Sequence, residues 1–72
     1  MKQDNVTKKL IELITEKAEG MELTTLSVMS GVSEKAIRKA LDGETNPHST
    51  TLNKLICALS ITDEEIRKKM NG

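Results

Sequence analysis

The glycines of this sequence, at positions 20, 31, 43 and 72, and its one proline at 47 divide it into short stretches. In each stretch the apolar residues recur at intervals of three and four. That interval fits the 3.6-residue period of an α-helix, and no stretch alternates apolar and polar residues as a half-buried strand would. The expected fold class is therefore all-α, with five helices, none longer than about four turns. With no Phe, Tyr or Trp among the 72 residues, the core has to be assembled from aliphatic side chains and methionine.

Five segments follow from this pattern. Between Asp4 and Gly20, Val6, Leu10, Leu13, Ile14 and Ala18 form one stripe with Ile11 at its edge, and Asp4 or Asn5 is placed to cap the start. A second, shorter helix puts Leu23, Leu26, Ser27 and Ser30 on one side and stops at Gly31, where a positive φ is cheap. Ser33 caps a third helix that carries Ile37, Ala40 and Leu41 inward and ends at Gly43. Asp42 to Ser49 reads as a loop around Pro47, and a fourth helix from Ser49 or Thr50 aligns Leu52, Leu55, Ile56 and Leu59. Thr62 and Glu65 match a capping box at the start of a fifth helix containing Ile66 and Met70. Residues 1–72 thus read as a single small domain, of a size that buries only about 60% of its unfolded surface.

The inventory argues against catalysis and against several binding chemistries. One histidine, His48, and one cysteine, Cys57, cannot form a four-ligand zinc site or a disulfide within the chain, and they have no catalytic partners at a recognisable spacing. His48 is expected to be a solvated loop or helix-start residue, and Cys57, one position off the stripe of helix four, a half-buried filler. The dispersed glycines build no phosphate cradle, and the acidic run Asp63 to Glu65 suits the positive end of a helix better than a metal. No cofactor, metal or small-molecule site is evident, and the expectation is that the chain is not an enzyme. Without aromatic residues there is no platform for stacking single-stranded bases. No apolar run approaches the roughly 18 residues of a membrane span, and the start has no signal-peptide stretch, so a cytoplasmic protein is expected.

The informative segment is the third helix. At about 100° per residue, Lys35, Arg38, Lys39 and Asp42 project opposite Ile37, Ala40 and Leu41, giving a mostly basic face behind an apolar one. The bland account of that face is a solvated surface with a Glu34–Arg38 pair at i, i+4. The context supports more: a short helix, a glycine turn and a capped helix with a polar outer face are the parts of a helix-turn-helix.

The stretch Leu23-Thr24-Thr25-Leu26-Ser27-Val28-Met29-Ser30-Gly31-Val32-Ser33-Glu34-Lys35-Ala36-Ile37 resembles the phage repressor and Cro type of helix-turn-helix, also called the xenobiotic-response-element type. Leu41-Asp42-Gly43-Glu44, Asn46-Pro47, Thr51-Leu52, Leu55, Ala58-Leu59 and Ile61 extend the likeness over about Leu10 to Ile66. The resemblance implies a compact five-helix lambda-repressor-like domain that binds double-stranded DNA as a transcriptional regulator. It implies base contacts from Ser33, Glu34, Lys35, Arg38 and Lys39, and phosphate contacts from Thr24, Thr25, Thr45 and Asn46. Leu23 stands where many members carry a phosphate-binding glutamine, leaving Thr24, Thr25 and backbone amides for that contact. The family further implies a homodimer on twofold-related half-sites, nucleoid-associated when bound.

Two features support a different reading, a protein-interaction module that retains the fold without a functional DNA surface. The first is charge: 11 basic and 11 acidic side chains leave no net charge. From Met21 to Pro47, three basic residues (Lys35, Arg38, Lys39) face four acidic ones (Glu22, Glu34, Asp42, Glu44), a net of −1. The second is the apolar pair Val28 and Met29 at helix-two positions that are usually polar in the family, which suggests a covered surface such as an extra helix contact, a dimer seam or a partner site.

Overall fold

The computed structural model describes residues 4–43 and 46–71. They form five helices in the expected order: α1 (Asn5–Lys17), α2 (Leu23–Ser30), α3 (Glu34–Leu41), α4 (Ser49–Ala58) and α5 (Asp63–Asn71). The all-α expectation holds, and among the described residues there is no strand. None of the helices is long and apolar enough to cross a membrane.

Helix α1 is the hub, packing against α3, α4 and α5, while α2 bridges α3 and α4. The centre is aliphatic, as the composition requires: Ile14 from α1, Leu26 from α2, Ile37 from α3 and Leu55 from α4 are the largest fully buried side chains. Burying each is worth about 1.5–3 kcal/mol. Ile11, Leu13, Val32, Ala40, Leu52 and Ile61 complete the core.

The stripe of α1 departs from expectation at two positions. Val6 is 58% exposed, whereas Ile11 is buried. The cause is α5, which runs antiparallel along α1: Glu65 near its start pairs with Lys17, and the Met70 carbonyl near its end accepts from Lys9 Nζ at 3.0 Å. Packed on two sides, α1 buries a wider arc that takes in Ile11. Val6, in the first turn, stays outside that arc, while the adjacent Thr7 is buried.

Local chemistry sets the helix ends. Asp4 caps α1 by accepting from the Thr7 backbone N–H at 2.7 Å. At α5 the capping box forms reciprocally: the Thr62 N–H donates to Glu65 Oε1 at 3.1 Å and the Glu65 N–H to Thr62 Oγ1 at 3.2 Å. The end of α4 carries no sequence signal, because the turn falls on Ser60, a non-glycine residue at φ 55°. The Ser60 N–H donates to the Cys57 carbonyl and the Ile61 N–H to the Ile56 carbonyl, the two bonds of a Schellman cap.

Helix α5 buries none of its own residues fully, and it meets α1 through ion pairs as well as half-buried Ile66, which packs against the core. Besides Lys17–Glu65, Lys69 bonds to Glu16 and lies 3.8 Å from Glu12. The hydrogen bond to Glu16 raises the Lys69 pKa, so this ammonium stays charged well into the alkaline range.

Two predictions follow from these ends. Ser60→Gly removes a left-handed cost of about 1–2 kcal/mol and adds about 0.4–1 kcal/mol of unfolded-state freedom. A net gain of about 0.5–1 kcal/mol in urea unfolding is expected. The second concerns acid. The Lys17 ammonium, then the Thr62 N–H, hold the Glu65 carboxyl below its ordinary value of 4.5, and the Thr7 N–H does the same for Asp4. A depressed folded-state pKa stabilises fully above the ordinary value and is lost as pH falls through the lower one. Acidification below pH 4.5 should therefore move the NMR amide signals of α5 toward unfolded positions before those of α3.

Candidate nucleic-acid interface

The turn between α2 and α3 is built from short side chains bonding to the backbone. Gly31 sits at φ 73°, and its N–H donates to the Ser27 carbonyl. A Cβ at this position would meet no atom within 4 Å, so the backbone conformation, not space, calls for glycine. Ser27 Oγ donates to the Val32 carbonyl at 2.6 Å, Ser30 Oγ donates to the Leu26 carbonyl at 2.7 Å, and the Val32 N–H donates to Ser30 Oγ at 3.2 Å. With Val32 buried and Leu26 and Ile37 in the core, α3 is held in a fixed rotation about its axis.

That rotation decides what α3 shows. Ile37 and Ala40 are fully inside and Leu41 is half-buried, so Glu34, Lys35, Arg38, Lys39 and Asp42 all lie on the exposed side. Ser33 caps the helix by accepting from the Ala36 N–H at 3.2 Å and is itself exposed. The five residues expected to contact bases are therefore all accessible, with Lys35, Arg38 and Lys39 on one face. No Glu34–Arg38 pair forms among the described residues. Glu34 Oε1 instead accepts from Thr24 Oγ1 at 3.4 Å, linking the starts of α2 and α3 across the turn.

Thr24 and Thr25 are both exposed in the first turn of α2. The N-cap of that helix is Glu22, which makes no side-chain cap bond, so this turn lacks the satisfaction that Asp4 and Ser33 provide elsewhere. Unsatisfied amides at the positive end of a helix are suited to hold an anion. Asn46 is exposed beside the half-buried Pro47, ahead of α4. Thr45, the fourth residue expected to contact phosphate, lies outside the described residues, as does Glu44.

The ion pairs alter the meaning of a neutral total charge. Those among the described residues join Lys17 to Glu65 and Lys69 to Glu12 and Glu16, all between α1 and α5. Three carboxylates are thus matched away from α3, and Lys35, Arg38 and Lys39 remain free of ion pairs on it. Sequence counting missed this, since the pairs join residues about fifty positions apart with no shared periodicity.

Other expected features take plain positions. His48 is exposed at the N-cap of α4 and makes no side-chain cap bond. Cys57 is exposed, not half-buried, because it points away from the Leu52–Leu55 side of α4 that meets the core. Among the described residues, no three His, Cys, Asp or Glu side chains gather where they could hold a metal ion. Val28 is 79% exposed and Met29 51%, the latter beside Thr50, Asn53 and Cys57 of α4.

Comparison of the chain with family models, with curated proteins and with solved structures finds no match. The functional reading therefore rests on this geometry.

If the α3 face is solvated as described, Lys35→Ala with Lys39→Ala should change unfolding free energy by under about 0.5 kcal/mol. A thermal or urea melt of the double variant checks this.

Proposed function

We propose that the chain binds double-stranded DNA sequence-specifically and acts as a repressor-like transcriptional regulator, with α2 and α3 as a helix-turn-helix. The observation that carries this reading is the outer face of α3, where Lys35, Arg38 and Lys39 stand exposed and without ion pairs next to the uncapped start of α2.

In this mechanism α3 enters the major groove. Lys35 or Arg38 donates to guanine O6 and N7, and Glu34 accepts from cytosine N4, with Ser33 and Lys39 at the margins of the same face. The hydroxyl of Thr24, bonded to Glu34, steadies the carboxylate that reads cytosine. The amides of Thr24 and Thr25 and the hydroxyl of Thr25, with Thr45 and Asn46 from the segment after α3, hold phosphates and set register. A homodimer would place two such faces on half-sites about one helical turn apart. The chain would act in the cytoplasm, on the nucleoid, as a binding protein without catalytic activity of its own.

The second reading, a protein-interaction module, is favoured by one observation, the exposed apolar pair Val28 and Met29 on α2. Retention on bulk DNA at low salt separates the two. A regulator is retained and released by salt, whereas an interaction module passes through.

Two outcomes are predicted. Lys35→Ala with Lys39→Ala abolishes binding to the selected operator, measured by fluorescence anisotropy. The slope of log affinity against log salt is shallow, about −2 to −4 per subunit, because Lys35, Arg38 and Lys39, with Lys54 or Lys2 at most, neutralise few phosphates at about −0.9 each. A salt titration on operator and random duplexes measures it. A slope near −8 would require phosphate contacts from cations elsewhere on the molecule.

A further inference from the structure

The end of α1, the start of α2 and the end of α3 enclose a groove of about 350 Å³ that no sequence motif marks. Its floor is Leu26, 2% exposed, and its walls are Ala18, Met21, Leu23 and Leu41. These four wall residues pack against the core on one side and stay only partly covered on the other. The volume falls within the range of about 300–1,000 Å³ typical of small-ligand cavities, and an apolar interior with a few polar groups at one edge is the usual composition of such sites.

The polar edge has a single sign. Glu16, Glu19 and Glu22 line the groove, all exposed, and no cationic side chain lines it with them. Glu16 is already bonded to Lys69. Glu19, in the turn after α1, and Glu22, the N-cap of α2, form no ion pair with any described residue. The opening therefore carries two unmatched carboxylates above an apolar floor, an arrangement that disfavours a fatty-acid-like anion and favours a cation with an alkyl body.

We propose that this groove is a binding site for a small amphipathic organic cation of the alkylammonium class. The alkyl chain lies against Leu26 between Met21, Leu23 and Leu41, and the ammonium sits between the carboxylates of Glu19 and Glu22. The site adjoins the start of α2 but uses none of Lys35, Arg38 and Lys39, so it stands whether or not the chain binds DNA.

The test is an NMR titration with octylammonium below its micelle concentration, run beside octanoate, which has the same apolar chain length class and the opposite charge. Octylammonium should produce saturable shifts confined to Ala18, Met21, Leu23, Leu26 and Leu41, with octanoate giving none. Glu19→Gln with Glu22→Gln, at exposed sites outside the core, should keep the amide spectrum and weaken binding roughly tenfold. Glu19→Gln alone, in a turn outside any helix, should give part of that loss. Equal shifts from octanoate, shifts centred on Val28 and Met29, or undiminished binding by the double variant would overturn the proposal. So would shifts at the groove residues on raising protein concentration alone, which would make a second copy the occupant.

Discussion

The turn at Gly31 is the constraint from which the rest of the structure follows. A left-handed residue there brings α3 back against the core, and the bonds from Ser27, Ser30 and Val32 leave the turn little freedom. Once Leu26 and Ile37 are buried together, the rotation of α3 is settled, and the basic side chains have only the solvent side available. The candidate interface is thus a by-product of core packing. Its three cations face outward because Ile37, Ala40 and Leu41 turn inward.

Electrostatics acts through placement more than through total charge. A chain with no net charge generates no long-range field toward DNA. The α1–α5 seam nevertheless gathers Glu12, Glu16 and Glu65 against Lys17 and Lys69, so those charges are matched away from α3, where Lys35, Arg38 and Lys39 stand exposed with Glu34 and Asp42. The same seam adds ion pairs to the hold on α5, whose apolar residues Ile66 and Met70 are only half-buried. Stability and candidate function therefore draw on different ionisable groups, the first at the α1–α5 seam and the second on α3.

Much of this was legible in the sequence. The α2 and α3 faces, the Asp4 and Ser33 caps and the Thr62–Glu65 capping box all rest on interactions within a few residues, which spacing and residue type encode directly. The exposure of Val6, the burial of Ile11 and the full exposure of Cys57 depend on which neighbour covers which side, and that is a tertiary fact. Ser60 was illegible for another reason: its left-handed backbone is imposed by the α4 Schellman cap on a residue with no special preference for it. In the candidate interface, the exposed face of Lys35, Arg38 and Lys39 was readable from helical periodicity, whereas Ser33 and Glu34 came from the family resemblance alone. The Thr24–Glu34 bond was not, because it crosses the turn between two helices.

Selection of binding sites from random duplex DNA tests the central claim most directly, run in parallel on the parent chain and on the Lys35→Ala, Lys39→Ala variant. The account predicts enrichment of a defined site with guanines in the major groove opposite α3, twofold-related with half-sites about one helical turn apart, and no enrichment with the variant. A parent chain that enriches no sequence, or a variant that enriches the same sequence as well as the parent, would contradict it.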